Sequence, residues 1–328
     1  MGVFDNEMYL NPKYNHLDRF SQMCYRSFWT PAKYEQSIRK VDVPYIQNVM
    51  SEIDAEPAKR CIMAVALVED KVKNMFPSLA NDLPQTIISD ICAMIGQQEV
   101  THRRSYHSLN EALGINVDDL KNYEALKGRI KYLNKHLEND SKIIGKKRVL
   151  KKLVLFTSLV ERISLYTSFY ILMSYAHHNK GLKTISALQS TTCKEERIHY
   201  EFGLSLINII KEEYPRLWDE YLLEMVEKNI KDAYKAERNL LDWFFEKGMP
   251  DHLTMEEVVN FLNNNFNTVI KDLGLNIKPY KVDEKLWEER NSWFDATVFM
   301  TAEPDFFDMP DGSYADEQEE IDINNFEF

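Results

Sequence analysis

Long stretches of this chain place apolar residues every three and four positions rather than every two, and little interrupts them. That is the period of a helix, because side chains three and four apart share one face. Only 10 glycines and 11 prolines occur among 328 residues, so turns are few and the segments between them long. The spacing predicts helices over residues 57–76, 84–113, 118–138, 148–178, 181–211, 216–247 and 255–272. Stop signals fall between them at Gly114, at His177-His-Asn-Lys-Gly181, at Pro215 and at Gly248-Met-Pro250. A nearly all-α chain with helices this long is expected to form a bundle with its site inside.

The pattern changes near residue 300. From Ala302 to Tyr314 and through Asp316-Glu-Gln-Glu-Glu320 there is no helical stripe and much negative charge, so residues 301–328 read as a flexible acidic tail on a 1–300 helical domain. Its end, Ile321-Asp-Ile-Asn-Asn-Phe-Glu-Phe328, sets apolar side chains among acids; it is either a solvated terminus or a segment that orders on a partner. Lys+Arg 40 against Asp+Glu 52 leaves a formal charge of −12, which argues against nucleic acid as a partner, since that affinity is mostly counterion release by basic side chains. No apolar run reaches the ~18–20 residues of a membrane span, and no basic, apolar leader opens the chain. Gly2 alone does not make a myristoylation start, because Asn6 stands where Ser or Thr is needed. The four cysteines, Cys24, Cys61, Cys92 and Cys193, lie far apart and form no C-x-x-C pair, so they read as buried thiols in a reducing compartment, and a cytoplasmic location is expected.

Two E-x-x-H motifs carry the chemistry: Glu99-Val-Thr-His102 and Glu196-Arg-Ile-His199. On a helix each projects a carboxylate and an imidazole from one face, where they can chelate one metal ion. Alone, the pair of motifs is a modest signal. Two further acids at matching depth in two other predicted helices strengthen it. Glu161 stands in the otherwise apolar run Val154–Phe169, where an unpaired carboxylate is costly to bury and a metal would remove the cost. Glu69 follows Ala64-Val-Ala-Leu-Val68 and shares a helical face with Val65, Val72 and Phe76, whereas Asp70 leans towards Leu67 and Lys73. Glu69 is the favoured ligand and Asp70 the alternative. Two E-x-x-H helices with one Glu from each of two others match the ligand arrangement of ferritin-like di-iron and dimanganese carboxylate bundles. Four carboxylates and two imidazoles offset the charge of two divalent ions and suit Fe or Mn better than Zn, which prefers four tight ligands.

The order Glu69, Glu99, His102, Glu161, Glu196, His199, with its flanking residues, resembles the small (beta, radical-generating) subunit of class I ribonucleotide reductase over most of the chain. Ser27-Phe-Trp-Thr-Pro31 is similar to that family's early tryptophan motif. Glu99-Val-Thr-His-Arg-Arg-Ser-Tyr106 looks like its first ligand pair followed by the radical-site tyrosine, and Lys194-Glu-Glu-Arg-Ile-His199 like its second pair. The acidic tail ending in Asn324-Asn-Phe-Glu-Phe328 completes the pattern.

The resemblance implies an oxidoreductase acting as a homodimer with a separate large (alpha) subunit, supplying deoxyribonucleotides for DNA replication. The metal pair here is activated by an oxygen species, and the oxidising equivalent passes to a cysteine of the large subunit, where the nucleotide is reduced. Trp29 would relay the hole out of the site, with Glu195 standing where the family usually has Asp between that tryptophan and His102. Tyr314 would carry the hole across the subunit gap, and residues 321–328 would dock on the large subunit. A glutamate as first ligand, in Glu69-Asp-Lys-Val-Lys73, resembles a branch in which dimanganese, activated by superoxide from a flavoprotein, is itself the stored oxidant. Lys73 lies four residues beyond Glu69, over the same face, where its ammonium could draw an anion or bond a ligand carboxylate. On that reading manganese is favoured and Tyr106 stays reduced; a tyrosyl radical at Tyr106, with di-iron or mixed Mn/Fe, is the rival. Two other readings of the chain are a stand-alone di-iron oxidase on the same bundle and a metal-free helical scaffold.

Overall fold

Each apolar stripe finds its partner stripe across a shared core, so the periodic segments fold as helices and the stop signals set their ends. The computed structural model describes residues 2–5, 12–72 and 74–298, without the side chains of Pro12, Asp70, Lys71, Val72 and Val117. Among the described residues there is no strand, only an isolated bridge between Asp140 and Ile143. In chain order the α-helices are α1 (Asp18–Arg26), α2 (Ala32–Ser37), α3 (Val43–Asn48), α4 (Glu52–Val72), α5 (Met75–Asp82), α6 (Thr86–Ala112), α7 (Glu124–Leu133), α8 (Gly145–Leu155), α9 (Ser164–His177), α10 (Lys183–Glu213), α11 (Glu220–Phe244) and α12 (Met255–Leu273). Two short helices follow, α13 (Glu284–Leu286) and α14 (Ser292–Val298). The bundle is built from α4, α6, α9 and α10, with α5 against α6, α7 against α11, and α12 over α9.

Two predicted segments come out differently. The helix expected over 57–76 starts earlier and stops earlier. Ser51 accepts the Asp54 N–H at its hydroxyl and the Ala55 N–H at its carbonyl, so the first turn is capped there and Pro57 lies inside the helix. Phe76 therefore belongs to α5 and not to the face of Glu69. The segment 118–138 is broken: a 3-10 turn over Val117–Asn122, capped by the Asn116 side chain, ends at Tyr123 in extended conformation before α7 begins.

Between α8 and α9 the chain does not stop but widens into a π-helical turn, Phe156–Ile163. Such wide turns shift the phase of a helix and occur often at functional sites; this one carries Glu161. α10 crosses it closely at Gly203, one turn beyond His199, where a Cβ would collide with the Thr157 side chain. Glycine at 203 thus lets the helix bearing His199 approach the turn bearing Glu161.

Candidate metal centre

Four elements deliver six side chains to one point in the core. α4 supplies Glu69, α6 supplies Glu99 and His102, the π turn supplies Glu161, and α10 supplies Glu196 and His199. All six are at most 1% exposed. They form two overlapping groups, Glu69, Glu99, His102, Glu196 and Glu99, Glu161, Glu196, His199, with the candidate ligand atoms of each group within 4.8 Å of one another. Glu99 and Glu196 belong to both groups, which is the position of bridging carboxylates.

The imidazoles turn Nδ1 inward. His102 Nδ1 lies 2.9 Å from Glu196 Oε1 and 3.8 Å from Glu69 Oε2; His199 Nδ1 lies 3.1 Å from Glu99 Oε1 and 3.3 Å from Glu161 Oε2. None of these contacts has hydrogen-bond geometry. Both oxygens of Glu69, Glu99 and Glu161, Glu196 Oε1, and both inward ring nitrogens are buried without a hydrogen-bond partner. Buried polar atoms are ordinarily paired, since leaving one unsatisfied costs about 1–3 kcal/mol. So many orphans converging on one point are explained by cations: two divalent ions would balance four carboxylates and use the free lone pairs. The donor set fits a dinuclear metal carboxylate site.

The outward ring nitrogens are fully engaged. His102 Nε2 donates to Glu195 Oε2 at 2.7 Å, and Trp29 Nε1 donates to the same oxygen at 2.7 Å. A carboxylate only accepts, so both rings must bring the hydrogen, which leaves His102 Nδ1 as a lone pair facing the centre. Trp29 is 5% exposed and its ring stacks on His102 at 6.1 Å between centroids. On the other side His199 Nε2 meets Gln98 Oε1 at 3.0 Å, while Gln98 Nε2 donates to Glu195 Oε1 and to Ser27 Oγ, each at 2.8 Å. The amide oxygen accepts, so His199 also carries its hydrogen outward. Gln98 therefore ties the second imidazole to the carboxylate that orients the first. Sequence reasoning missed it; the signal was there, four residues before His102 and so on the same helical face.

Burial is the first influence on every ionisable group of the centre. It pushes the Glu69 and Glu161 carboxyls well above the usual range, and raises Glu99 with help from the negative charge of Glu196. At Glu196 burial is outweighed by the two imidazoles, which hold its carboxyl below the ordinary value. Burial opposes protonation of His102 and His199, but contacts with Glu195 and Glu196 at the one, and with Glu196, Glu161 and Glu99 at the other, raise both well above the usual histidine value. Protons thus compete with metal for these atoms, and metal binding releases them.

Tyr106, one turn beyond His102, is fully buried, and its hydroxyl hydrogen-bonds to Gln189 Oε1 at 2.9 Å and Thr192 Oγ1 at 3.2 Å. Burial pushes its phenol well above the ordinary value. Phe76 and Phe202 wall the His199 side, with the Phe76 ring 5.9 Å from His199. Lys73, Tyr314 and the tail 301–328 lie outside the described residues, as does the side chain of Asp70.

Comparison with known proteins bears on this arrangement. The family model for the ribonucleotide reductase small chain matches residues 7–286. The ribonucleoside-diphosphate reductase subunit beta of Chlamydia pneumoniae is 26% identical over 166 residues, which is 50% of this chain and 45% of that protein. Among solved structures, the ribonucleotide reductase R2 subunit of Clostridium botulinum superposes with a TM-score of 0.72 at 17% identity, covering 90% of this chain and 99% of that one. An R2-like ligand-binding oxidase with a Mn/Fe cofactor superposes with a TM-score of 0.63 at 15% identity, covering 80% and 94%. The all-α, ferritin-like bundle is common to these structures.

Proposed function

The chain belongs to the ribonucleotide reductase small-chain family, and we propose that it is the oxidant-generating small (beta) subunit of a class I ribonucleoside-diphosphate reductase. On this reading it passes an oxidising equivalent to a separate large subunit, where ribonucleotides are reduced to deoxyribonucleotides. The observation that carries the proposal is the unbroken chain from the centre towards the surface, His102 Nε2 to Glu195 to Trp29 Nε1, with both links at 2.7 Å. A protein that used its oxidant on a substrate bound at the centre would have no need of such an exit.

Glu69, Glu99, His102, Glu161, Glu196 and His199 would hold the two metals, with Glu99 and Glu196 shared. When bound, the metal pair supplies one-electron oxidising power. Glu195 positions both Trp29 and His102. When Trp29 gives up an electron its indole N–H becomes acidic, and Glu195 Oε2 is placed to accept that proton and return it later. Gln98 keeps the carboxylate and both imidazoles in register.

Within this function we favour manganese with Tyr106 reduced. Oxidising a buried phenol requires its proton to leave, and the partners of Tyr106 are an amide oxygen and a neutral hydroxyl, both weak bases. The hard, carboxylate-rich donor set suits Mn and Fe alike, so iron or mixed Mn/Fe with a tyrosyl radical is the alternative. Lys73 would draw an anionic oxygen species supplied by a flavoprotein. Residues 1–300 would form one helical domain of a homodimer, and the tail 301–328 would dock on the large subunit with Tyr314 carrying the hole across.

Two experiments test this. Deleting residues 310–328 should abolish deoxyribonucleotide formation in the presence of the large subunit while leaving metal content unchanged; oxygen consumption with a small organic substrate that survives the deletion would favour the stand-alone oxidase. Low-temperature electron paramagnetic resonance of the Mn-loaded and Fe-loaded chain should show no tyrosyl signal in the active form. A tyrosyl signal that vanishes in Tyr106→Phe would reverse the assignment of Tyr106.

A further inference from the structure

At the other end of α4, fifteen residues and therefore about 22 Å along the helix axis from Glu69, a second set of ligand-type side chains converges. Asp54 comes from the first turn of α4, and Asp251 and His252 from the loop between α11 and α12; their candidate ligand atoms lie within 4.8 Å of one another. His252 is 6% exposed. Its Nε2 meets Ser174 Oγ at 3.1 Å, and that hydroxyl spends its own hydrogen on the Ile171 carbonyl at 2.6 Å. Ser174 can then only accept from the ring, so Nε2 carries the hydrogen and Nδ1 is a bare lone pair.

That lone pair points at negative charge. Nδ1 is buried with no hydrogen-bond partner, and Asp251 Oδ1 stands 3.8 Å away. The other atoms of the group are already used: Asp251 Oδ2 pairs with Lys180 at 2.8 Å, and Asp54 Oδ2 accepts from Ser51 Oγ at 2.6 Å. Each of the three residues nevertheless offers one ligand atom to the same group, all within 4.8 Å of one another. Protonating Nδ1 would also relieve the repulsion, but burial and the neighbouring His178 hold this histidine down to about 4, so near neutral pH the lone pair stays bare. A cation resolves the arrangement.

We propose that Asp54, Asp251 and His252 form a second, mononuclear site for a borderline divalent transition metal of the zinc type, separate from the dinuclear centre. An imidazole with two monodentate carboxylates is a zinc-type donor set, whereas calcium and magnesium take oxygen donors almost exclusively. Asp251 is 73% exposed at its side chain, so the site is reached from solvent and water completes the coordination. The ring of His178 lies 5.6 Å from that of His252. Bound metal would staple the start of α4 to the α11–α12 loop and, through Ser174, to the end of α9. Because only the folded chain assembles these donors, metal raises its stability by mass action.

The test is Zn(II) bound per chain, measured by equilibrium dialysis and elemental analysis on the full-length protein and on Asp251→Asn, Asp54→Asn and His252→Ala. Each variant is expected to bind one zinc fewer than the parent, and the rise in melting temperature produced by zinc should shrink accordingly. The two aspartate variants alter a solvent-exposed and a half-buried side chain, so they remain informative if His252→Ala does not fold. Equal zinc content in the parent and both aspartate variants overturns the proposal and marks any extra ion as adventitious. Because the readout is a difference between chains with the same dinuclear centre, it does not depend on the function assigned to that centre.

Discussion

Among the described residues, two of the clusters of buried charge are built on opposite principles. In the first, Arg129 of α7 and Glu237 of α11 are 1% and 2% exposed and satisfy each other. Nε and Nη2 of the guanidinium donate to Oε1 and Oε2 at 2.8 and 2.5 Å, Tyr132 donates to Oε1 at 2.6 Å, and Nη1 reaches the Ala64 carbonyl of α4. In the second, five residues further along α4, the carboxylates around Glu69 face only the two imidazoles and have no hydrogen-bond donor for most of their atoms. Burial of charge is therefore not what marks a site here. The mark is buried charge that the protein leaves unsatisfied while spending its hydrogen bonds on orienting it, as Glu195 and Gln98 do.

The contrast breaks most visibly at the two carboxylates proposed to be shared between the metals. Glu99→Ala should reduce bound Mn or Fe to well below one ion per chain, because on the proposed reading both metals would lose a ligand, while apo stability should hold or rise as an unsatisfied buried acid is removed. Elemental analysis and denaturant unfolding of the apo protein check the two halves; an apo protein that unfolds much more easily would show that Glu99 is part of the scaffold.

Glu237→Gln should behave in the opposite way. Leaving Arg129 buried without its counterion should cost about 3–5 kcal/mol in denaturant unfolding, with metal content per folded chain unchanged. A variant that loses metal but not stability would erase the distinction between the clusters.

The orienting layer predicts an intermediate effect. Gln98→Leu removes the acceptor of His199 and one donor to Glu195, and should weaken metal affinity about 10–100-fold, as losses of such supporting bonds do. Competition with a chelator measures it. Unchanged affinity would mean that helix packing alone sets the imidazole.

The gentlest lever is pH. In the apo protein Glu69, Glu99, Glu161 and both histidines have raised values, so the folded state holds more protons than the unfolded chain above the ordinary carboxyl range. Their stabilising effect is present below the unfolded values and is lost as pH rises through the folded ones. Glu196, held low, has the opposite sign: its stabilisation is present above the carboxyl range and is lost in acid. Apo protein should therefore melt at lower temperature at about pH 8 than at about pH 6, while the metal-loaded form, which has released those protons, should not. Arg129 has no part in this window, since its guanidinium stays charged throughout. A flat apo profile would mean that the centre is not protonated as its environment demands.

Much of the architecture was legible in the residues. The segments expected over 84–113, 181–211 and 255–272 appear as Thr86–Ala112, Lys183–Glu213 and Met255–Leu273, because helical phase is a local property that apolar spacing displays directly. The break at Tyr123 and the start of α4 before Pro57 were not legible, since each depends on a side-chain cap that competes with the periodic signal. At the centre, the E-x-x-H spacing announced two helices, and Glu161 stood out as an acid in an apolar run. Gln98, Gln189 and Thr192 did not stand out: a neutral polar residue on a long helix looks the same whether it meets water or a ligand's far nitrogen.

What the chain alone determined is helical period and the pairing of Glu99 and Glu196 each with the imidazole one turn later. Those follow from the geometry of a single helix. The tertiary structure decided which ions would be satisfied and which left open. That choice depends on distances between helices: the close crossing at Gly203, the wide turn that carries Glu161, and the reach of Glu195 and Gln98 across to Trp29, His102 and His199. No local pattern encodes those distances, because packing the whole core sets them.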